Sequence, residues 1–259
     1  MKKSIVILAA ALLVAGVNKG FAHTETETNP ADSVSNKISY SFAIGSKIGG
    51  ASPLGFPAEI RKINSFSPAV PFFVQAKAEY TFSQKWGMSV GVTFEGKGMN
   101  TKANVKGYQT TFNDNSDESN NISGYYYGDI STNVQNLYVT VPILANYKLS
   151  PKWDFQAGPY IAFAVQKRFF GEAQKGYLRN ITPTGEKVII EDAAYRFDNS
   201  IRNVDYGATV GARYAISSRY YALGQFDYGF SNIMKNGFET ISFGLHNIFL
   251  NLGVGIKLP

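Results

Sequence analysis

Few residues of this sequence could carry out chemistry. Its 259 residues include no cysteine and only two histidines, His23 and His246. Without cysteine there can be no disulfide framework, thiol nucleophile, cysteine-ligated zinc or lipidated N-terminal cysteine. Hydrolytic sites pair a histidine with an acid or a serine, and the Gly-x-Ser-x-Gly, His-Glu-x-x-His and P-loop patterns are missing. We interpret His246 as a solvated rim histidine and expect no catalytic residue, bound metal or cofactor.

One acidic stretch resembles a calcium loop only in its first half. Asp114, Ser116 and Glu118 stand at alternating positions that could supply ligands. Ser119 occupies the sixth position, where the sharp turn needs glycine, and Tyr125 the twelfth, where a bidentate glutamate belongs. We therefore interpret this stretch as a solvated acidic loop.

Two further clusters are typical of contact surfaces. The first is the tyrosine run Tyr125–Tyr127, which suits a protein or a glycan. The second is the basic and aromatic run Lys167–Phe170, which suits anionic lipid headgroups equally well.

The elements that position these residues follow from a period of two. Eight segments alternate apolar and polar residues, the signature of β-strands with two different faces. They are Ile38–Gly45, Phe72–Phe82, Trp86–Glu95, Leu137–Tyr147, Trp153–Phe163, Val204–Tyr214, Tyr220–Phe230 and Asn247–Leu258. No segment after the N-terminus has the roughly 20 apolar residues that a transmembrane helix needs.

The links between these segments alternate in length. Three are tight, at 83–85, 150–152 and 217–219. Four are long and rich in Asn, Ser, Asp, Gly and Tyr, at 46–69, 96–133, 167–203 and 231–246. This pattern is typical of bacterial outer-membrane barrels, whose short turns lie in the periplasm. The sequence thus predicts an all-β fold, an eight-stranded antiparallel transmembrane β-barrel with short periplasmic turns and long extracellular loops.

Aromatic residues indicate which face of the predicted barrel meets lipid. Seven of them stand beside the short turns on the apolar parity, as expected of a girdle at the membrane interface. They are Tyr80, Phe82, Trp86, Tyr147, Trp153, Tyr214 and Tyr220. A soluble barrel of the lipocalin kind would instead turn its apolar face inward.

The opposite parity carries charges that lipid would disfavour, so it is predicted to face the lumen. We expect a polar network there, formed by Lys77, Glu79, Glu95, Asp154, Gln156, Arg213, Asp227 and Lys257. Lys148, Lys97 and Asp205 share this parity, but the last two stand at the loop rim and are expected to face water. Glu79 and Asp154 are the alternative partners predicted for Arg213, because both lie near their own short turns.

The N-terminus predicts export. Residues 1–22 combine a basic start, an apolar stretch from Ile5 to Val17 and small residues before a cleavage site, as a signal peptide does. Residues 23–36 are a polar periplasmic lead-in, and residues 37–259 form the barrel. Removing the signal takes away three lysines and no acid, so the formal net charge of +6 falls by three. Because no Lys/Arg block is present either, we expect no nucleic-acid partner.

Four motifs resemble a known family. They are LYVTVPILANYK at 137–148, QAGPY at 156–160, DYGATVG at 205–211 and NLGVGIK at 251–257. In these strands the sequence resembles the outer-membrane β-barrel domain of Bacteroidota called PorT-like, although it ends Lys257-Leu258-Pro259 rather than on an aromatic residue.

The resemblance implies residence in the cell outer membrane, contact with outer-membrane lipid and, in some members, a link to protein secretion. We expect a non-enzymatic structural or interaction barrel at the cell surface, with a periplasmic or cell-surface protein partner. The alternative is a narrow channel or a barrel that binds a small ligand or lipid.

Overall fold

The computed structural model describes residues 37–55, 57–113, 121–238 and 240–258. The predicted signal peptide, the lead-in and most of the acidic loop lie outside these residues. The described part of the chain forms eleven strands and one 3-10 helix, Asp198–Ser200, and none of its helices is long and apolar enough to cross a membrane. The strands are β1 (Lys37–Pro53), β2 (Ile60–Ala69), β3 (Phe72–Thr81), β4 (Trp86–Asn113), β5 (Asn121–Lys148), β6 (Trp153–Gln166), β7 (Phe169–Asn180), β8 (Lys187–Arg196), β9 (Val204–Ala215), β10 (Tyr220–Asn232) and β11 (Leu245–Leu258).

Eight of these strands close into a ring. Its order is β1-β3-β4-β5-β6-β9-β10-β11, with each neighbour antiparallel to the next. The ring is closed by β11 against β1, from Tyr40↔Leu258 to Pro53↔Leu245. Closure satisfies the backbone donors and acceptors that an open sheet edge would leave bare in lipid. The predicted eight-stranded antiparallel barrel is confirmed.

The alternation of residues places one face of each strand outside and the other in the lumen. On β3, Val74 and Tyr80 are 48% and 43% exposed, whereas Gln75, Lys77 and Glu79 are buried. Outward apolar side chains form a continuous band around the ring, as a surface in contact with hydrocarbon requires.

The three short turns share one local structure. Each carries a serine, Ser83, Ser150 or Ser217, whose hydroxyl accepts hydrogen bonds from the backbone N–H groups two and three residues later. This side chain satisfies donors that a tight reversal of the chain leaves unpaired. The third residue after each serine is a girdle aromatic, so the turn also fixes where the girdle begins.

The long links differ from the prediction, because strands occupy much of them. β4 and β5 each have 28 residues and pair from Trp86↔Tyr147 to Asn113↔Asn121. A transmembrane strand needs only about 9–11 residues, so more than half of each strand projects beyond the membrane. β2 adds to the projecting part of β4, β7 adds to that of β5, and β8 adds to β7. We call this five-stranded structure, β2-β4-β5-β7-β8, the extracellular sheet.

The extracellular sheet has a hydrophobic core of its own. Buried residues of the sheet, among them Tyr126, Phe169 and Leu178, form one cluster with Ile201, which precedes β9, and Met234, which follows β10. Burial raises the pKa of Tyr126 to about 12, and its hydroxyl donates to the carbonyl of Gln174 at 2.9 Å. Such a packed and hydrogen-bonded core holds the surface of the sheet in one arrangement.

Candidate functional site

The lumen contains two clusters of charged side chains at different depths. The periplasmic cluster is centred on Arg213, which is 3% exposed. Its guanidinium donates two hydrogen bonds to the Glu79 carboxylate and one, at 2.5 Å, to Asp154. Ser41 donates a further hydrogen bond to Glu79 at 3.0 Å, and Lys77 donates to the Gln156 side chain at 2.7 Å. Both acids predicted as alternatives thus contact Arg213.

The outer cluster links two lysines and three acids. Lys47 pairs with Glu95 and lies 3.5 Å from Asp227, while Lys97 lies 3.4 Å from Glu95 and 2.9 Å from Asp205. Neutral side chains donate further hydrogen bonds to all three acids. Thr140 donates to Glu95 at 2.6 Å, and Thr209 and Asn251 donate to Asp227 at 2.7 Å. Asp205 accepts hydrogen bonds of 2.8 to 3.2 Å from Tyr160, Ser231 and Asn247.

These clusters fill the lumen. Beside the outer cluster the structure has a cavity of about 20 Å³, bordered by Glu95 and Asp227 of that cluster and by polar side chains such as Gln75, Thr93 and Gln225. A space of this size holds about one water molecule. Removing a charge from water costs several kcal/mol unless partners surround it, and here carboxylates and cations neutralise each other across the lumen. The arrangement stabilises a closed barrel.

Two predicted rim residues lie elsewhere than expected. Lys97 and Asp205 were predicted to face water, but they are 1% and 2% exposed and pair with each other. The prediction was wrong because the strands continue past the membrane, so the lumen is enclosed at their level. Lys257 is half-buried near the periplasmic end, and Lys148 is exposed.

Lys47 was missed by sequence reasoning although it is 1% exposed and central to the outer cluster. The first strand was predicted to end at Gly45, two residues earlier. Ile48 is an even-numbered, outward-facing apolar residue like Ile44. This continued alternation could have extended the predicted strand past Gly45 and placed the odd-numbered Lys47 in the lumen.

The aromatic residues of the girdle lie on the outer surface near the short turns. Tyr80, Phe82, Trp86, Trp153 and Tyr220 are 43% to 55% exposed. Tyr147 packs against Trp86 with ring centroids 4.7 Å apart, and Tyr214 packs against Trp153 at 5.0 Å. The four rings lie on four consecutive strands of the ring, β4, β5, β6 and β9, beside the short turns.

His246 is half-buried, and its Nδ1 lies 3.0 Å from the carbonyl oxygen of Gly229. This contact is to backbone rather than to an acid or a serine. Within the residues that the structure describes, no group of three His, Cys, Asp or Glu side chains could hold a metal ion.

The tyrosine run divides between the two faces of the extracellular sheet. Tyr126 points into the core, whereas the rings of Tyr127 and Tyr177, which are cross-strand neighbours, stack on the outer face at 4.9 Å. Lys187 and Arg179 lie 4.5 Å and 5.6 Å from the Tyr177 ring. Ile189, the next cross-strand neighbour of Tyr177, is 63% exposed. We call these five residues the tyrosine patch.

The basic run Lys167–Phe170 is not a free surface as predicted. Phe169 is 2% exposed and belongs to the extracellular core. Lys167 donates hydrogen bonds to the Ile201 carbonyl at 3.1 Å and to the Asn203 side chain at 2.8 Å. These contacts join the connection between β6 and β7 to the link that precedes β9, so Lys167 and Phe169 are structural, whereas Arg168 is exposed.

A comparison with protein families identifies the fold by sequence as well. Residues 21–235 match the family model described as outer membrane protein beta-barrel domain. The chain belongs to this family. The match covers most of the ring and the whole extracellular sheet, and with the lipid-facing apolar band it places the protein in the outer membrane. No curated protein sequence matches the chain.

Solved structures of outer-membrane proteins also align with the chain, at low identity. Ail of Yersinia pestis, in complex with the heparin analogue sucrose octasulfate, is 12% identical over 86% of this chain and 99% of its own, with a TM-score of 0.36. Neisserial surface protein A is 10% identical over 85% and 95%, with a TM-score of 0.30. OprG of Pseudomonas aeruginosa is 12% identical over 85% and 94%, with a TM-score of 0.28.

Proposed function

We propose that this protein is a non-enzymatic interaction barrel of the PorT-like type, which holds a rigid sheet at the cell surface for a protein partner. The observation that carries the proposal is the combination of a filled lumen with an extracellular sheet that has its own core. A barrel that transports solutes needs an open path, and a barrel that displays a surface needs a stiff support.

The filled lumen favours this function over a narrow channel. Buried, ion-paired side chains of both clusters cross the lumen, and the cavity beside the outer cluster, about 20 Å³, has room for about one water molecule rather than for a hydrated ion. Opening a path would separate ion pairs that are buried, at a cost of several kcal/mol for each stranded charge.

The tyrosine patch is the surface that we assign to the partner. Tyrosine and arginine are enriched in the residues that dominate binding energy at protein interfaces. Tyr127 and Tyr177 present stacked rings at little cost in conformational entropy, because the sheet already holds them in place. The neighbouring Arg179 and Lys187 suit a partner with acidic residues.

The test compares two double variants on the same outer face of the extracellular sheet. Tyr127→Ala with Tyr177→Ala removes the stacked pair, and Ser65→Ala with Lys102→Ala changes another exposed cross-strand pair. Crosslinked outer membranes are solubilised and proteins bound to the tagged chain are quantified by mass spectrometry. The first variant should lose one partner by about thirtyfold or more, while the control retains it. Equal capture by both variants would refute the assignment of the patch.

A link to protein secretion is the finer part of the proposal and is supported by the PorT-like motifs in four strands. Cells that lack the protein should accumulate secreted proteins in the periplasm, and the tyrosine-patch variant should fail to restore secretion. Normal secretion in the deletion strain would remove the link and leave the interaction role in place.

Planar-bilayer recordings of the purified barrel should show no discrete openings, and stable openings would favour the channel instead.

A further inference from the structure

The extracellular part of the protein encloses an apolar cavity that the proposed function does not use. Its volume is about 350 Å³, within the range of small-molecule binding sites. Residues from β1, β2, β4, β5, β7 and β11 and from the link between β10 and β11 line it, among them Phe66, Ala103, Ile130, Phe169 and Leu245. Most of the lining residues are apolar and none is charged, so the cavity suits a hydrocarbon rather than a sugar or an ion.

The cavity opens sideways between β1 and β2. β1 pairs with β3 only as far as Ser46↔Phe72 but continues to Pro53, and β2 pairs with β4 on its other side. At the junction of β2 and β3, Val70 has a φ of 49° and Pro71 lacks a backbone N–H, so the chain bends away from β1 there. The edges of β1 and β2 that face each other above this point have no strand partner among the described residues.

Apolar side chains inside the opening are left uncovered. Ile63 and Phe66 are the cross-strand neighbours of Ala103 and Thr101, and all four line the cavity. Yet Ile63 and Phe66 remain 49% and 48% exposed. Two large apolar side chains that are half exposed to water forfeit part of the hydrophobic stabilisation that full burial would give, and an apolar ligand would recover some of it.

The opening lies at the outer edge of the lipid-facing band. On β1 the outward apolar residues run from Ile38 to Ile48, which are 52% and 51% exposed. Ten residues at about 3.3 Å, tilted by about 40°, rise roughly 25 Å, the height of that band. The cavity begins with the next residue, Gly49. Its mouth therefore adjoins the acyl chains and headgroups of the outer leaflet.

The floor of the cavity is closed. The buried Lys47 stands two residues before Gly49 on β1, and the buried Lys97 stands two residues before Met99 on β4; Gly49 and Met99 both line the cavity. Both lysines belong to the outer cluster, so along β1 and β4 these ion-paired side chains stand between the cavity and the rest of the lumen. Tyr108 also lines the cavity, and its hydroxyl makes no hydrogen bond to the described residues. Burial raises the pKa of Tyr108, so the hydroxyl keeps its proton and can donate to a carbonyl oxygen.

We propose that this cavity binds one acyl chain of a membrane amphiphile, which enters from the outer leaflet between β1 and β2. The sideways mouth at the edge of the apolar band favours entry from lipid over entry from water, and the closed floor makes the cavity a binding site rather than a passage to the periplasm. The proposal is independent of the protein partner, because the tyrosine patch is not part of the cavity.

The first test measures binding of cis-parinaric acid, a fluorescent acyl chain, to the full chain in detergent micelles. Ala103→Phe fills the cavity, and Lys102→Phe places the same ring on the opposite, exposed face of β4. The unchanged chain should bind saturably, Ala103→Phe should weaken the affinity about tenfold or more, and Lys102→Phe should not change it. Absence of saturable binding, or equal affinity of the two variants, would overturn the proposal. Heat-dependent gel migration verifies that both variants fold.

The second test distinguishes lipid from water as the source and does not depend on filling the cavity. In a background with Trp86→Phe and Trp153→Phe, a single tryptophan is introduced by Phe66→Trp inside the mouth or by Ser65→Trp on the other face. Phosphatidylcholine vesicles with brominated acyl chains should quench Phe66→Trp more strongly than Ser65→Trp. If both are quenched equally or neither is quenched, lipid chains do not enter at this mouth and the proposal of lateral entry is wrong.

Discussion

Replacing Arg213 with methionine tests the closed lumen most directly. The change removes the cation that contacts both Glu79 and Asp154 while retaining much of the side-chain volume. Glu79 would keep its hydrogen bond from Ser41, but Asp154 has no other hydrogen-bond donor among the described side chains. Removing one partner of a buried ion pair costs about 3–5 kcal/mol. Because two acids are stranded here, we expect a loss near the upper end, about 5 kcal/mol.

Urea unfolding from micelles, followed by gel migration and tryptophan fluorescence, measures this loss. Val210→Leu on the same strand is the matched control, since Val210 is 52% exposed on the lipid face and should tolerate a larger apolar side chain. Arg213→Lys should be intermediate, because a lysine keeps the charge but not the fork that holds two carboxylates.

Second substitutions identify which acid is stranded. Adding Asp154→Asn to Arg213→Met should recover more stability than adding Glu79→Gln, because Asp154 has fewer remaining donors. A neutral Arg213→Met variant would refute the reasoning, since it would mean that Arg213 is solvated in an open pore.

Three further predictions follow from the same structure. The protein should be heat-modifiable, so unboiled and boiled samples should migrate differently in detergent gels, and identical migration would argue against a closed barrel. Lys97→Met should destabilise the barrel by about 2 kcal/mol in the same urea assay. The loss should be smaller than for Arg213→Met, because Asp205 keeps three hydrogen-bond donors. An unchanged stability would mean that Lys97 is in water. Trp86 and Trp153 fluorescence should be quenched more by lipids brominated near the headgroup than by lipids brominated at the chain ends, and the reverse order would displace the girdle from the interface.

The period-two alternation of the sequence was sufficient to predict much of the eight-stranded ring. Alternation of period two is set by the geometry of a single strand, so it assigns each residue to a face without knowledge of its neighbours. This is why the parity of Lys77, Glu79 and Arg213 could be read directly. Connection lengths likewise depend only on positions along the chain, and three tight links identified the periplasmic rim.

The extracellular sheet could not be predicted in the same way. Its strands are rich in Asn, Ser, Gly and Tyr, a composition that is also typical of loops. Its apolar side chains, such as Val105 and Leu178, are spaced by polar residues and become a core only when β4, β5 and β7 pair.

The sequence by itself determined which side of each predicted strand points outward and which points inward, because that choice depends on each strand alone. Only the tertiary structure decided which inward residues meet. Arg213 and Glu79 are 134 positions apart and come together through the register of strands around the ring. The burial of Lys97 and Asp205, and the sideways opening between β1 and β2, depend on where pairing continues and where it stops. Register and pairing are set by the closure of the whole sheet, which no single segment encodes.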